Sequence, residues 1–176
     1  MLRHRSGFGL LECLVVLVLL AAVLMWTSAP YLRLVEQQAL DTQLARIAAA
    51  MMRMRSEAIT RNANVQVCLA NLKSNLDIQG CAKPVAGAQG YVVDEGILFF
   101  IDSPGGTAGV YNSKEGRDVV ARATPVLLHS NVRQYRIRPS GALSVAGVSY
   151  TARTAGGLCR QLWLGASGFR RVTACE

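Results

Sequence analysis

The sequence predicts an α+β fold, in which one long N-terminal helix packs on an antiparallel β-sheet. Three observations lead to this prediction. An almost wholly apolar run covers residues 8–26, a stripe of apolar residues at helical spacing follows it, and beyond Asn62 the apolar residues fall in short strand-like segments. A chain of 176 residues has room for one domain of ordinary size and an appendage.

The apolar run at residues 8–26 contains a single charge, Glu12. A bilayer is crossed by a helix of ~20 apolar residues, and this run nearly matches that length, so we expect a membrane-spanning segment. Basic residues precede the run, as they do in a secretory signal. However, Met25-Trp26-Thr27 is a poor cleavage site and Thr27-Ser28-Ala29 a weak one, so an ordinary secretory signal fits the sequence badly.

The helix is expected to continue beyond the apolar run. Pro30 is expected to kink or loosen it, because proline removes one intrahelical hydrogen bond and clashes with the preceding turn. Apolar residues then recur at spacings of four and three and form one stripe of an amphipathic helix. The stripe comprises Leu40, Leu44, Ile47, Met51, Met54 and Ala58. We expect the helix to end near Asn62 and the stripe to pack on the sheet.

Short strands are predicted from residue 62 onward. In the first strand Val65, Val67 and Leu69 alternate with Gln66 and Cys68, whereas residues 96–102 have the composition of a buried strand. The strands are expected at 65–69, 96–102, 125–129, 132–138, 147–152, 158–164 and 169–175. Residues 103–107 are expected to form a turn, and residues 111–118 an exposed loop.

The chain has five cysteines, of which Cys13 lies in the apolar run and is expected to be inert. The other four form two local pairs, Cys68 with Cys81 and Cys159 with Cys175. No histidine lies near them and no Cys-x-x-Cys spacing occurs, so no metal site is predicted. Four thiols after a membrane segment indicate two disulfides formed in an oxidising compartment. Free buried thiols are the alternative.

An expected hairpin explains why Cys159 should pair with Cys175. If residues 166–168 are a three-residue loop with Gly168 in the left-handed conformation, the strand pairing is symmetric about Ser167. This register places the two cysteines opposite each other, and opposed residues approach closely enough to be bridged.

Positive charge is concentrated in the last third of the chain. The net charge is +8, and from residue 121 to the end there are eight arginines and one acid, Glu176, which gives +7. Such a bias is most simply a solvated surface. The alternative is attraction to a polyanion, such as nucleic acid or anionic lipid.

The sequence contains no recognisable catalytic constellation. Its two histidines are His4 and His129, and His129 stands alone at an expected strand end. No serine lies in a Gly-x-Ser-x-Gly turn. Pro104-Gly-Gly106 is not followed by the Lys-Ser of a phosphate-binding loop. We therefore predict neither an enzyme nor a cofactor.

The residues Gly7-Phe8-x-x-x-Glu12, followed by an apolar helix, resemble the class III signal of type IV prepilins and pseudopilins. The resemblance implies that a prepilin peptidase cuts between Gly7 and Phe8 on the cytoplasmic side, that Phe8 is N-methylated and that the helix is retained. It also implies that Glu12 serves assembly by pairing with the amine of Phe8, in its own or a neighbouring subunit. A plain signal anchor is the alternative. The resemblance divides the chain into a leader (1–7), a membrane and assembly helix (8–29) and a periplasmic pilin-like domain (30–176).

Further segments narrow the resemblance to the GspH/FimT group of minor pseudopilins. The similar segments are Arg55-Ser-Glu-Ala-Ile59-x-Arg61-Asn62, Ile97-Leu-Phe-Phe-Ile-Asp102, Pro139-Ser-Gly141 and Cys159…Ser167-Gly168…Cys175. The resemblance implies a type IV pilin-like fold and other pilins or pseudopilins as partners. It also implies a single-pass protein of the bacterial inner membrane, or a place in an extracellular filament. Residues 72–93 depart from the pattern of the group.

Two functions follow from this resemblance, and they are compatible. The first is structural: a minor subunit of a type IV pilus or a type II secretion pseudopilus, acting in filament assembly or initiation. The second is capture of DNA by the C-terminal hairpin, because DNA-uptake members of the group carry a basic motif after the corresponding glycine. Gly168-Phe-Arg-Arg171 resembles that motif, although Phe169 occupies a place where arginine is expected.

The expected DNA-binding residues surround the tip of the C-terminal hairpin. The predicted register places Arg171 opposite Trp163 and Arg170 beside the loop, where guanidinium and indole groups would form a basic and aromatic surface. This surface would be extended by Arg160, Arg136, Arg138 and Arg153 if the sheet order brings their strands close.

Overall fold

The computed structural model describes residues 9–73, 77–83, 85–102 and 107–175, with the side chains of residues 23–30 excepted. The expected cleavage site at Gly7 and Phe8 lies outside these residues, as does most of the expected turn at 103–107. The described residues divide into two compact units, one ending at Glu36 and the other starting at Gln37. Helix α1, Leu10–Thr60, contributes to both units, and its helical backbone includes Pro30.

The second unit is built on the C-terminal half of α1. All six residues of the predicted stripe are buried, the most exposed being Met51 at 5%. Gln43 is also buried there; its amide nitrogen donates to the carbonyl oxygen of Ala121 (3.3 Å) and its amide oxygen accepts from the N–H of Ala123 (2.9 Å). The helix ends at Thr60, close to the predicted position, where Asn62 adopts a positive φ of 49° that asparagine tolerates better than most residues.

Eleven strands follow within the described residues. They are β1 (Val65–Leu72), β2 (Ile78–Cys81), β3 (Ala86–Gly87), β4 (Gly90–Val92), β5 (Gly96–Ile101), β6 (Arg117–Ala121), β7 (Leu127–Ser130), β8 (Gln134–Ile137), β9 (Gly147–Arg153), β10 (Cys159–Gly165) and β11 (Arg170–Ala174). The seven predicted strands are all present. The other four are β2, β3, β4 and β6; the first three are only two to four residues long and carry no clear alternation.

The strands form two antiparallel sheets rather than the single sheet predicted from the sequence. In the first sheet β1 pairs with β5 on one side and with β8 and β2 on the other, and β6 extends the sheet beyond β5. The second sheet has the order β11-β10-β9-β7-β4-β3. Buried residues of both sheets join the α1 stripe in one core. The predicted α+β class is therefore confirmed.

The first sheet has a second buried face, and the expected exposed loop at 111–118 is only partly exposed. The polar positions of β1, Gln66 and Cys68, are buried like their apolar neighbours, and Glu115 in the expected exposed loop is buried too. A second apolar cluster covers this face of the sheet, and within it Tyr111 packs edge-on against Phe100 with 5.6 Å between ring centroids. Tyr111 thus adds to this cluster, and the last two residues of the expected loop, 117 and 118, belong to β6.

Candidate functional site

The C-terminal hairpin, β10 and β11, has the predicted register. Trp163 pairs with Arg171 and Leu164 with Arg170, and Gly168 in the loop has a positive φ of 93°. The structure contains both predicted disulfides. They are Cys159–Cys175, with Cα atoms 5.5 Å apart at the open end of the hairpin, and Cys68–Cys81, with Cα atoms 5.7 Å apart between β1 and β2.

Alternation along β10 and β11 separates the four expected DNA-binding residues. Arg160 and Arg170 lie on the face that packs against α1, which we call the inner face. There Arg160 Nε lies 3.7 Å from Asp41 Oδ1, and an Arg170 nitrogen lies 3.7 Å from the sulfur of Met52. Trp163 and Arg171 lie on the opposite, outer face. The structure thus brings two of the four residues together and directs the other two toward the helix.

The outer face of β9, β10 and β11 carries an open groove with a volume of about 750 Å³. We call it the outer groove. Its lining side chains are cationic, aromatic or neutral and polar. No carboxylate side chain among the described residues lines it. The lining residues are Gln89, Thr151, Arg153, Gln161, Trp163, Phe169, Arg171, Thr173, Ala174 and Cys175. Thr151, Gln161 and Thr173 are register partners and form a polar row across the three strands, in which Gln161 Nε2 donates to Thr151 Oγ1 (3.3 Å).

Two aromatic rings stand at one end of the outer groove. Trp163 and Phe169 are 41% and 61% exposed, with ring centroids 6.1 Å apart and planes at 58°. The indole lies directly over the sheet, because a Cβ on Gly147 or Gly165 would come within 2.9 Å of its carbon atoms. Both glycines therefore make room for the indole on the sheet surface.

The two arginines of the outer groove stand at opposite ends of its floor. Arg171 pairs in register with Trp163, whereas Arg153 pairs with Cys159, four residues earlier along β10. At ~3.3 Å per residue the two positions are separated by about 13 Å along the strands. Arg153 Nε is buried and has no hydrogen-bond partner among the described residues. Neither guanidinium forms an ion pair within the part of the chain that the structure describes.

The sequence pattern of a protein family described as type II transport protein GspH matches residues 43–168, well over half of the chain. This chain belongs to the GspH family. A second pattern, the prokaryotic N-terminal methylation motif, matches residues 2–28. The family match ends at Gly168, so Phe169 and Arg171 of the outer groove lie beyond it. A comparison with curated proteins finds no match.

Two solved structures share the fold of this GspH-family chain. The type IV minor pilin FimU of Pseudomonas aeruginosa is 15% identical, with 80% of this chain and 96% of that chain covered and a TM-score of 0.52. The minor pseudopilin EpsH from the type 2 secretion system of Vibrio cholerae is 9% identical, with 77% and 96% covered and a TM-score of 0.51. The predicted type IV pilin-like fold is thereby confirmed.

Three segments of the family resemblance meet at the side chain of Arg55. Its Nη2 donates to the carbonyl oxygen of Ser167 (2.6 Å) in the hairpin loop. A Cβ built on Gly168 would collide with the guanidinium, and a Cβ on Gly141 would lie 2.9 Å from Arg55 Nε. Arg55 therefore ties the loop of the hairpin to α1, and the two glycines leave it the space to do so.

In the first unit, the N-terminal part of α1 exposes a run of apolar side chains with one charge, Glu12, among them. The large apolar residues from Leu10 to Leu20 are 45% to 84% exposed. Glu12 lies in the first turn, and Cys13 is a free, exposed thiol. No helix within the described residues has an apolar stretch that meets the length needed to cross a membrane.

Part of the outer groove was predictable from the sequence, and part was not. Trp163 and Arg171 came from the hairpin register, and Arg153 was expected if the sheet order allowed it. Arg136 and Arg138 do not line the groove, since they lie in and just after β8 of the first sheet. Gln89, Thr151 and Thr173 had no signal of their own, but the alternation of β9 and β11 places the two threonines on the same face as Arg153 and Arg171.

Proposed function

We propose that this chain is a minor subunit of a type IV filament system, a pilus or a type II secretion pseudopilus, that assembles through its N-terminal helix. The observation that carries the proposal is the run of exposed apolar side chains from Leu10 to Leu20. A helix that is apolar on all sides needs an apolar environment, which a membrane or neighbouring helices supply. The match to the N-terminal methylation motif supports the same function.

Maturation and assembly are assigned to the residues around this helix. A prepilin peptidase cuts between Gly7 and Phe8, Phe8 is N-methylated, and the subunit is held in the bacterial inner membrane with its globular domain in the periplasm. A carboxylate in a bilayer costs at least ~2.5 kcal/mol, so Glu12 needs a partner, and the amine of Phe8 in a neighbouring subunit supplies one. The two disulfides fit a periplasmic domain.

Mass spectrometry of the full chain purified from membranes tests the maturation. We expect a mature protein that begins at methylated Phe8, and unprocessed protein in cells that lack the peptidase. Glu12→Gln should still be cleaved, because its carboxylate serves assembly, but it should be lost from sheared filaments or from crosslinked pseudopilin complexes. A mature chain that begins after residue 25 would contradict the proposal.

Capture of DNA by the C-terminal hairpin is a second candidate function. The observation that favours it is the outer groove, in which the described residues combine Arg153, Arg171 and two exposed aromatic rings without a carboxylate side chain. Cationic and aromatic groups together bind nucleic-acid backbones without reading their sequence. Arg160 and Arg170 have little part in this function, because they lie on the inner face beside Asp41 and Met52.

The separation of the two adjacent arginines supplies a matched control. Arg171→Gln should weaken DNA binding by the full chain in detergent and lower the salt slope by about 0.9 for each phosphate that the variant no longer neutralises. Arg170→Gln removes the same charge from the neighbouring position and should leave both quantities nearly unchanged. Equal effects of the two variants would show that only net charge matters, and no effect of either would remove the hairpin from DNA binding.

A further inference from the structure

The outer groove has features that distinguish between forms of nucleic acid, and this inference rests on the proposed capture of DNA. Its rings are exposed and tilted at 58° to each other, so they do not stack on one another and each keeps surface available to a ligand. In a duplex the faces of the bases are already covered by their neighbours. A protein ring reaches a base face only where the strand is unpaired.

The rest of the groove fits a single strand that runs across the sheet. Arg171 stands beside the rings, and Arg153 stands at the other end of the floor, about 13 Å away along the strands. Between them lies the polar row of Thr151, Gln161 and Thr173, whose amide and hydroxyl groups suit the edges of unpaired bases. A duplex would contact the two cations through its phosphates and leave the rings and the polar row largely unused.

We propose that the outer groove binds single-stranded nucleic acid in preference to duplex. Trp163 and Phe169 stack on unpaired bases, and Arg153 and Arg171 contact the phosphates on either side. The described lining residues carry positive charge and no negative charge, which makes the groove electrostatically complementary to this ligand. The preference comes from the rings, whereas the cations serve both forms of DNA.

The test uses the full chain in detergent micelles and fluorescence anisotropy with a labelled 12-nucleotide oligo-dT, alone or paired with oligo-dA. We expect the single strand to bind about tenfold or more tightly than the duplex, the effect of stacking at least one base. Trp163 emission should be quenched on binding, and the only other tryptophan, Trp26, provides an internal reference. Polygalacturonate serves as an acidic polymer without bases.

Variants then assign the preference to the rings. Phe169→Ala and Trp163→Ala should weaken binding of the single strand and bring it close to that of the duplex, whereas Arg171→Gln should weaken both forms. Phe169 is the safer site if Trp163→Ala fails to fold, because it is the more exposed ring. The inner-face control, Arg170→Gln, should change neither.

The outcomes separate the failure of the inference from the failure of the proposed capture. Binding of neither form would overturn the capture of DNA itself. Binding of duplex as tight as that of single strand, or single-strand binding unaffected by both ring variants, would overturn the stacking preference and leave DNA capture standing. Competition by polygalacturonate as strong as that by unlabelled oligo-dT would show a general anion site and would also overturn the inference.

Discussion

The two faces of the β9-β10-β11 sheet are made from alternate residues of the same strands, yet they differ in chemistry. The inner face buries Val148, Tyr150, Ala152, Leu162 and Leu164 in the core with α1. The outer face exposes two aromatic rings and carries the outer groove with its two arginines. Strand alternation therefore decides which residues of this hairpin face α1 and which line the outer groove.

The comparison also shows that net charge alone does not locate the outer groove. The last third of the chain is strongly basic, but Arg160 lies beside Asp41 and Arg170 beside Met52 on the inner face. Arg153 and Arg171 are the two arginines that line the outer groove. Position in the strand, rather than the number of arginines, determines which of them line the outer groove.

The largest difference between the faces should appear in stability. Leu162 is fully buried on the inner face, and Leu162→Ala should lower the free energy of unfolding by about 2–5 kcal/mol. Arg171→Gln on the outer face should change it by no more than ~0.5 kcal/mol. Denaturant unfolding of the full chain in detergent measures both. Similar losses from the two variants would mean that the outer face also carries the fold.

The next effect concerns the disulfide at the end of the outer groove. Replacing both Cys159 and Cys175 by serine should cost about 3 kcal/mol, the chain-entropy value for a loop of this length. The strands should remain paired, because β10 is hydrogen-bonded on both sides, to β9 and β11. The bridge between Cys68 and Cys81 closes a loop of similar length, and its removal should cost about as much. Non-reducing peptide mapping must first confirm both bridges; crossed pairs or free thiols would refute the pairing.

A smaller effect should come from the contact that ties the hairpin loop to α1. Gly157 and Gly168 both have positive φ, but a Cβ on Gly157 meets nothing within 4 Å, whereas one on Gly168 meets the Arg55 guanidinium. Gly157→Ala should cost about 1–2 kcal/mol for the left-handed backbone. Gly168→Ala should cost about 1 kcal/mol more, because it also breaks the hydrogen bond from Arg55 to Ser167.

Arg55→Ala supplies the control for that contact. In a chain that carries Arg55→Ala, Gly168→Ala and Gly157→Ala should lower the free energy of unfolding by similar amounts, because no guanidinium remains to be displaced. An excess that persists without Arg55 would assign the effect to the loop backbone and would leave Arg55 without a role in fixing the hairpin.

Much of the inner face was predictable, because it depends on the spacing of apolar residues and on the loop residues within single elements. The α1 stripe follows from helical spacing, and the hairpin register follows from one glycine and a symmetric loop, which also fixed the pairing of Cys159 with Cys175. The outer groove was only partly predictable, because its width depends on which strands are neighbours. Arg153 joins the groove only because β9 lies beside β10, and Gln89 only because the turn between β3 and β4 approaches the same face.

The two-sheet architecture and the second apolar cluster could not be predicted for a related reason. The sequence of β1 alternates as a strand with one exposed face would, yet Gln66 and Cys68 are buried. A distant segment lies over them, with Tyr111 packed against the cluster that contains Cys68 and Gly109 beside the amide of Gln66. Strands as short as β3 carry too few residues to show a period at all. Contacts between distant segments, rather than local propensity, set these features.

The smallest effect on stability should come from two buried tyrosines whose hydroxyl groups form a hydrogen bond. The hydroxyls of Tyr150 in β9 and Tyr135 in β8 lie 3.0 Å apart and are buried beside the sulfur of Met51. Burial raises the pKa of Tyr135, and the neighbouring Tyr150 raises it further. Burial also raises the pKa of Tyr150, although the hydrogen bond with Tyr135 opposes this in part.

These shifts fix the sign of the pH dependence. The unfolded chain releases both phenolic protons near pH ~10, whereas the folded chain keeps them. The stability that the pair contributes is therefore complete below pH ~10 and decreases as the pH rises above it, by about 1.4 kcal/mol per pH unit for each tyrosine. Unfolding midpoints at about pH 9, 10 and 10.5, on either side of the ordinary tyrosine pKa, measure the decrease. The double variant Tyr135→Phe and Tyr150→Phe should lack this decrease, and an unchanged slope would place the alkaline sensitivity elsewhere in the chain.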